Sequence, residues 1–216
     1  FSSRPNAELI SEEEEQKRLL PTLQKIVEEF PNAILSVDTY RSSIAQMVVQ
    51  EGAHIINDIS GGLFDPEMMR SVGEMKVPYV LMHMQGEPSS MQRNPSYEDV
   101  FKEIFSFFSE QIHALQQHGV HDIILDPGFG FGKSLEHNYE LLKKLSYFHA
   151  LERPLLAGIS RKGMIQKLIE EEAKDALNGT TAAHAIALLN GANILRVHDV
   201  KEAKEAIRIV DFYQKQ

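Results

Sequence analysis

Six short stretches of the chain end an apolar run in a side chain able to do chemistry. Asp38 sits in "SVDTYRS", Asn57 in "INDIS", His83 in "LMHM" and Asp126 in "ILDPGFG". Ser160, Arg161 and Lys162 follow in "GISRKG", then Arg196 and His198 in "ILRVHDV". A single aspartate after a strand is most simply a turn or helix-capping residue. Two carboxylates with an amide are another matter. Carboxylates accept paired N–H donors, and an amide both donates and accepts. Asp38, Asn57 and Asp126 together suit a planar heterocycle with an amino-amidine edge, such as a pterin or purine. Arg196 and His198 alternate and so face one side of a strand end, and Arg4 in "SSRPN" adds a third donor. Such a trio suits a phosphate or diphosphate. Arg161 and Lys162 have a plainer reading, as a basic surface pair opening a helix.

Other candidates carry less. "DPGFGFGKS" is not a Walker loop, because that motif needs a glycine where Pro127 stands, and proline has no N–H for a phosphate. The loop reads instead as a ligand wall in which glycines admit close approach. Lys133 is expected outside a ring-binding pocket and off any phosphate. The histidines show no metal-ligand spacing such as H-E-x-x-H. Glu12 to Glu15 read as a solvated helix start, and the phenylalanines from 101 to 108 as core. Met82, Met84 and Met91 belong to a long polar stretch at the ligand end, expected to form a mobile wall.

These residues must be positioned by something regular. Six apolar runs recur, at 33–39, 53–60, 78–84, 121–127, 154–160 and 192–199. All are near-continuous, as strands buried on both faces are. Helical patterns lie between them. One stripe runs through Phe101, Ile104, Phe105, Phe108, Ile112 and Leu115 and closes at Gly119. Another opens on Ser11 and Glu14 as a capping box and runs through Leu19, Leu23, Ile26, Val27 and Phe30. Pro21 should kink that helix or begin a second one. Alternating strands and helices give a parallel α/β architecture. A doubly wound sheet would draw its ligand groups mainly from the switch point, whereas here every strand end supplies one. That ring predicts a (β/α)8 TIM barrel. Only about six of its eight strand–helix units fall within these residues, so the chain reads as a single barrel domain, 1–216, incomplete at its N-terminus.

The totals narrow the classes. A net charge of −9 argues against a nucleic-acid surface, though a few cations in a cleft can still draw an anionic small molecule. No 18-residue apolar run suggests a membrane span. With no cysteine, thiolate metal sites, disulfides and cysteine nucleophiles are excluded, in keeping with a cytoplasmic location.

Seven segments, "SSRPNA", "SVDTYRS", "INDISGG", "LMHMQGEP", "DPGFGFGK", "GISRKG" and "LRVHDV", resemble the dihydropteroate synthases in order and spacing across the whole chain. The resemblance implies a TIM-barrel enzyme of folate biosynthesis. It would join 6-hydroxymethyl-7,8-dihydropterin diphosphate to p-aminobenzoate and release diphosphate with Mg²⁺. It further implies a pterin pocket of Asp38, Asn57, Met82, Asp126, Lys162 and Arg196, with Asp38, Lys162 and Arg196 catalytic. Ser3, Arg4, Arg196 and His198 would hold diphosphate; Pro5, Phe131, Ser160 and Lys162 would line the p-aminobenzoate side. Asn6 stands where the family usually has glycine, which could alter that loop's path. The family's asparagine ligand for Mg²⁺ belongs to a first loop absent from these residues, so no metal ligand is assigned. The small-residue segment 180–193 could pack against a partner, and a homodimer is expected. The rival from another class is a pterin-binding module of corrinoid-dependent methyl transfer. It has no diphosphate to hold and so no need of "SRK" and "RVHD".

Overall fold

The computed structural model describes residues 10–86, 91 and 95–216. All six expected strands form, shorter than their apolar runs: β1 Ser36–Asp38, β2 Ile55–Asp58, β3 Tyr79–Met82, β4 Ile123–Asp126, β5 Leu156–Ala157 and β6 Ile194–Leu195. Between and around them lie α1 Glu12–Glu29, α2 Ser42–Gln50, α3 Met68–Met75, α4 Val100–Gln117, α5 Leu135–Lys143, α6 Gly163–Ile169, α7 Leu177–Leu189 and α8 Val200–Gln214. A 3₁₀ segment, Leu145–Leu151, follows α5.

Strand order decides the architecture. β1 to β4 pair in parallel in chain order, β5 pairs with β6 in parallel, and a parallel bridge between Leu125 and Leu155 joins the two sets. A doubly wound sheet must reverse its order at a switch point. Here each strand is added beside the one before it, as in the wall of a barrel. The chain is α/β, with six consecutive strand–helix units of a TIM barrel. Among the described residues no pairing joins β6 to β1. The apolar residues Ile34 and Ile194 are accordingly exposed at those two edges.

The core explains the local folding. Strand residues Val37, Ile56, Tyr79, Leu81, Ile123 and Leu125 are buried with the inward stripes of the helices. In α4 the expected stripe buries Ile104, Phe108, Ile112 and Leu115, and Gly119 closes the helix at φ +78°.

Four expectations about α1 need revision. The helix runs unbroken through Pro21, so no second helix begins there. Proline's missing N–H falls on an exposed residue, where water can satisfy the freed carbonyl. Phe30 ends the stripe outside the core, 59% exposed. Glu15 is not solvated: it is buried, accepts from Thr39 Oγ1 at 2.9 Å and pairs with the Arg41 guanidinium. An acidic residue of the helix start therefore braces the segment that immediately follows Asp38. Ser11 Oγ accepts from the Glu14 amide at 3.2 Å, while Glu14 itself turns to Arg18 at 2.5 Å, so only half of the capping box forms.

Candidate active site

Parallel register brings the strand ends side by side. Asp38 lies opposite Asn57, and Met82 opposite Asp126. From β6, one residue beyond its last strand position, Arg196 reaches across them. Its Nη1 donates to Asn57 Oδ1 at 3.3 Å and its Nη2 to Asp126 Oδ2 at 3.0 Å. Asp126 is fully buried, and its other oxygen accepts from the Gly128 amide at 2.8 Å. The turn role and the pocket role are thus split between its two oxygens. Asp38 is open to solvent by contact, yet it sits in a concave surround crowded by protein. That burial raises its pKa, while the nearby Arg196 charge and a hydrogen bond from the Asn57 side chain pull it back. Asn57 is 2% exposed; its Oδ1 takes the Arg196 bond, which leaves its Nδ2 to the Asp38 side.

Glycine makes the crossing possible. A Cβ on Gly158, just after β5, would lie 2.8 Å from Arg196 Nη2. The guanidinium passes over the bare backbone there.

The second half of the mouth comes from the loops after β4, β5 and β6. Lys162 Nζ donates to the Phe129 carbonyl at 2.5 Å and lies 4.7 Å from the centre of the Phe131 ring. Burial is the largest influence on its pKa, which is lowered to about 8; Asp126 opposes the shift and Arg196 adds to it. Phe131 packs with Ile59, Met82 and Met91 in a small cluster separate from the main core. Ser160 is buried, and its Oγ meets both the His198 amide at 3.2 Å and His198 Nδ1 at 3.0 Å. The hydroxyl therefore links the β5 and β6 loops.

The structure brings together Asp38, Asn57, Met82, Asp126, Phe131, Ser160, Lys162, Arg196 and His198 at one end of the barrel wall. Ser3, Arg4 and Pro5 lie outside the described residues, as does Asn6. Arg196 and His198, expected to face one side, take different partners here. Its guanidinium turns to the carboxylate and amide, while His198 turns to Ser160. Arg161 is no loose surface partner of Lys162. With φ at +52° it points elsewhere, gripping Asp199 through Nε and Nη2, each at 2.8 Å. It also donates to the carbonyls of Ala173 and Lys174.

Lys133 was missed. It is 4% exposed, with Nζ enclosed by backbone carbonyls and His83. His83 accordingly lies buried beside Lys133 and Phe107, and its pKa is driven well below the usual histidine value by burial and by that lysine. Nothing in the spacing of "FGKS" signals this. Side-chain direction here follows from the positive φ of Gly128, Gly130 and Gly132, which curl the loop inward.

A ring of strand-end groups with paired carboxylate and amide on one side and cations on the other defines a binder of an anionic heterocycle on a barrel. The chain belongs to the pterin binding enzyme family, whose model matches residues 1–198. Within that family it is similar to the dihydropteroate synthases. The enzyme of Escherichia coli strain K12 is 45% identical over 212 residues, 97% of this chain and 74% of the relative. The Yersinia pestis dihydropteroate synthase, solved in complex with a sulfonamide drug, superposes with a TM-score of 0.95 at 40% identity, covering 100% of this chain and 78% of that one. The Thermus thermophilus enzyme, solved with 4-aminobenzoate, gives 0.90 at 38% identity, covering 97% and 79%.

Proposed function

We propose that this chain is a dihydropteroate synthase. It condenses 6-hydroxymethyl-7,8-dihydropterin diphosphate with p-aminobenzoate, giving 7,8-dihydropteroate and diphosphate. The observation that carries the reading is the convergence of the Asp38 and Asp126 carboxylates with the buried Asn57 amide at adjoining strand ends, under the Arg196 guanidinium. A donor fixed among acceptors is what a pterin edge requires, since the ring presents both N–H groups and bare nitrogens.

The same geometry couples ring binding to departure of the leaving group. Asp126 Oδ2 and Asn57 Oδ1 are held by Arg196. A pterin edge that takes those two acceptors frees the guanidinium, whose side chain is 38% exposed, to move to the face of the ring and the diphosphate. There, with His198 and Arg4, it offsets the negative charge that grows as the methylene–oxygen bond breaks. The bonding pair leaves with the diphosphate oxygen. Asp38 faces the cation left on the pterin methylene. The aniline nitrogen of p-aminobenzoate, entering along Phe131 and Ser160, donates its lone pair to that carbon and then releases a proton to solvent. Lys162 spans the two substrates, its ammonium on the Phe129 carbonyl and the Phe131 ring.

A magnesium ion belongs to this reading as countercharge for the diphosphate. Among the described residues no group of three or more histidine, aspartate or glutamate side chains could hold a metal ion. No residue among those described is therefore assigned to magnesium. A homodimer is supported by the apolar residues that α7 and α8 leave outside: Ile186, Leu189, Ile209, Phe212 and Tyr213. No helix of the described residues is long and apolar enough to cross a membrane, and the relatives named above are bacterial enzymes; both support a cytoplasmic place.

Calorimetry with the pterin diphosphate, with and without Mg²⁺, followed by a turnover assay with p-aminobenzoate, tests the reading. Mg²⁺-dependent binding and formation of dihydropteroate are expected. Binding of a methyl folate without turnover would instead establish the methyl-transfer module.

A further inference from the structure

We propose that Lys133 is a positioning residue for the aniline side of the reaction: its amine holds the glycine loop in the curve that seats Phe131. The proposal rests on the reading above for the identity of the second substrate. Its structural basis is separate. Lys133 Nζ lies 2.9 Å from the carbonyl oxygens of both Gly128 and Phe131, and 3.3 Å from that of His83. His83 Nδ1 completes the surround at 3.2 Å. The amine reaches back five residues and two residues along its own loop, and across to the end of β3. Three glycines at φ +70°, +83° and +64° turn the loop's carbonyls towards it. A Cβ at Gly128 would fall 1.9 Å from the His83 oxygen, so loop and strand are already in contact at this point.

This surround satisfies the amine in either protonation state. An ammonium donates to two carbonyls and to His83 Nδ1. A neutral amine keeps both carbonyls and accepts from His83 Nδ1–H. The charged groups facing it are Asp126 and Lys162, the first favouring and the second opposing its charge.

The hold is specific to one part of the site. Phe131 has its carbonyl on Lys133, and its ring packs in the cluster of Ile59, Met82 and Met91. Outside the loop, Asn138 Oδ1 accepts from the Gly130 amide at 2.7 Å, and Tyr97 donates to the Gly132 carbonyl at 2.9 Å. Asp126, by contrast, is fixed by strand pairing with Met82, by the Gly128 amide and by Arg196. Loss of the Lys133 amine therefore loosens the aromatic wall more than the pterin carboxylate. A buried lysine with only a general structural role would affect both substrates alike.

The chain contains no cysteine, which permits a direct test. Lys133→Cys creates a single thiol, and alkylation with 2-bromoethylamine in denaturant, followed by refolding, restores an amine at lysine's length. In Lys133→Cys the KM for p-aminobenzoate should rise about tenfold or more, while calorimetric affinity for the pterin diphosphate stays within about threefold. Aminoethylation should return the KM to within about threefold of the original. An unchanged KM, equal changes for both substrates, or a refolded alkylated protein without recovery would overturn the proposal. If Lys133→Cys does not fold, Tyr97→Phe removes another bond to the same loop and must show the same split between substrates; a shift confined to the pterin would refute it. Failure of the unaltered protein to make dihydropteroate would strike the functional reading alone, because the calorimetric and structural comparison of loop variants would remain.

Discussion

Gly158→Ala should injure catalysis while leaving the fold nearly intact. Gly158 is buried but not in the left-handed region, so alanine meets no backbone strain. The obstacle is Arg196: a Cβ would lie 2.8 Å from Nη2, 3.1 Å from Nε and 3.2 Å from Cζ. To restore ordinary contact at 3.4 Å, the guanidinium must retreat by 0.6 Å. Its bond to Asp126 stands at 3.0 Å, so a shift of this size disturbs the present hydrogen-bond geometry. A charge-assisted hydrogen bond contributes about 1.5–3 kcal/mol, but the Arg196 side chain is 38% exposed and water takes over part of the role. Discounted for solvent, the loss of stability is about 1 kcal/mol. Removing glycine's freedom in the unfolded chain returns about 0.4–1 kcal/mol. Urea unfolding should therefore show little net change. Turnover is more sensitive, since small misplacement of a group acting on the transition state costs about 10- to 100-fold. Steady-state kinetics for both substrates, run beside urea unfolding, separate the two effects. If kcat/KM for the pterin diphosphate stays within about threefold of the unaltered enzyme, Arg196 does not act as argued. If stability collapses in step with activity, the damage is to folding and the argument fails differently.

Three further outcomes follow from the same geometry. Lys162, with its pKa lowered to about 8, loses its charge as pH rises through that value, so kcat/KM for p-aminobenzoate should fall there; Lys162→Met should be slower and flat across the same range in a pH–rate profile. Lys133, at about 7 in the fold against an ordinary 10.5, imposes its full burial penalty below pH 7 and relieves it as pH rises towards 10.5. Relative to Lys133→Met, the unaltered protein should thus gain stability across that window, by at most about 1.4 kcal/mol per pH unit; a constant difference in urea midpoints would contradict the shift. Glu15→Ala leaves the Arg41 guanidinium and the Thr39 hydroxyl without their buried partner. It should cost about 3 kcal/mol in chemical denaturation, and by loosening the segment after Asp38 it should also lower kcat.

How much of this was legible from residues alone depends on whether position or direction was at issue. The six strands were legible because their apolar runs are short, near-continuous and bounded by turn residues. Asp38, Asn57 and Asp126 were legible because a polar group at the end of such a run has little choice of surroundings. Direction was not legible. Arg161 and Lys162 are adjacent, yet a positive φ at Arg161 sends one to Asp199 and the other to the Phe129 carbonyl. Glu15 stands in a run of four glutamates, and only the placement of α1 against the segment after β1 selects it for burial. Lys133 resembles a solvent-exposed loop lysine until three glycines curl its loop inward.

The two kinds of residue answer different demands. Groups that touch the substrates must sit at strand ends, because a parallel barrel wall exposes one rim to which all its strands contribute. Those same groups cannot hold themselves still: strand pairing fixes the Asp126 backbone, but nothing in the β4 ladder fixes the loop that follows. The supporting charges therefore lie one step further along the chain. Glu15 and Arg41 hold the loop after β1, Lys133 the loop after β4, and Arg161 with Asp199 the loops after β5 and β6. Each support binds backbone carbonyls or another loop's side chain. Variants at these positions should consequently change which substrate is bound well before they abolish the reaction. A loss of turnover at Lys133 with both substrate affinities unchanged would show that this division between rim and support is wrong.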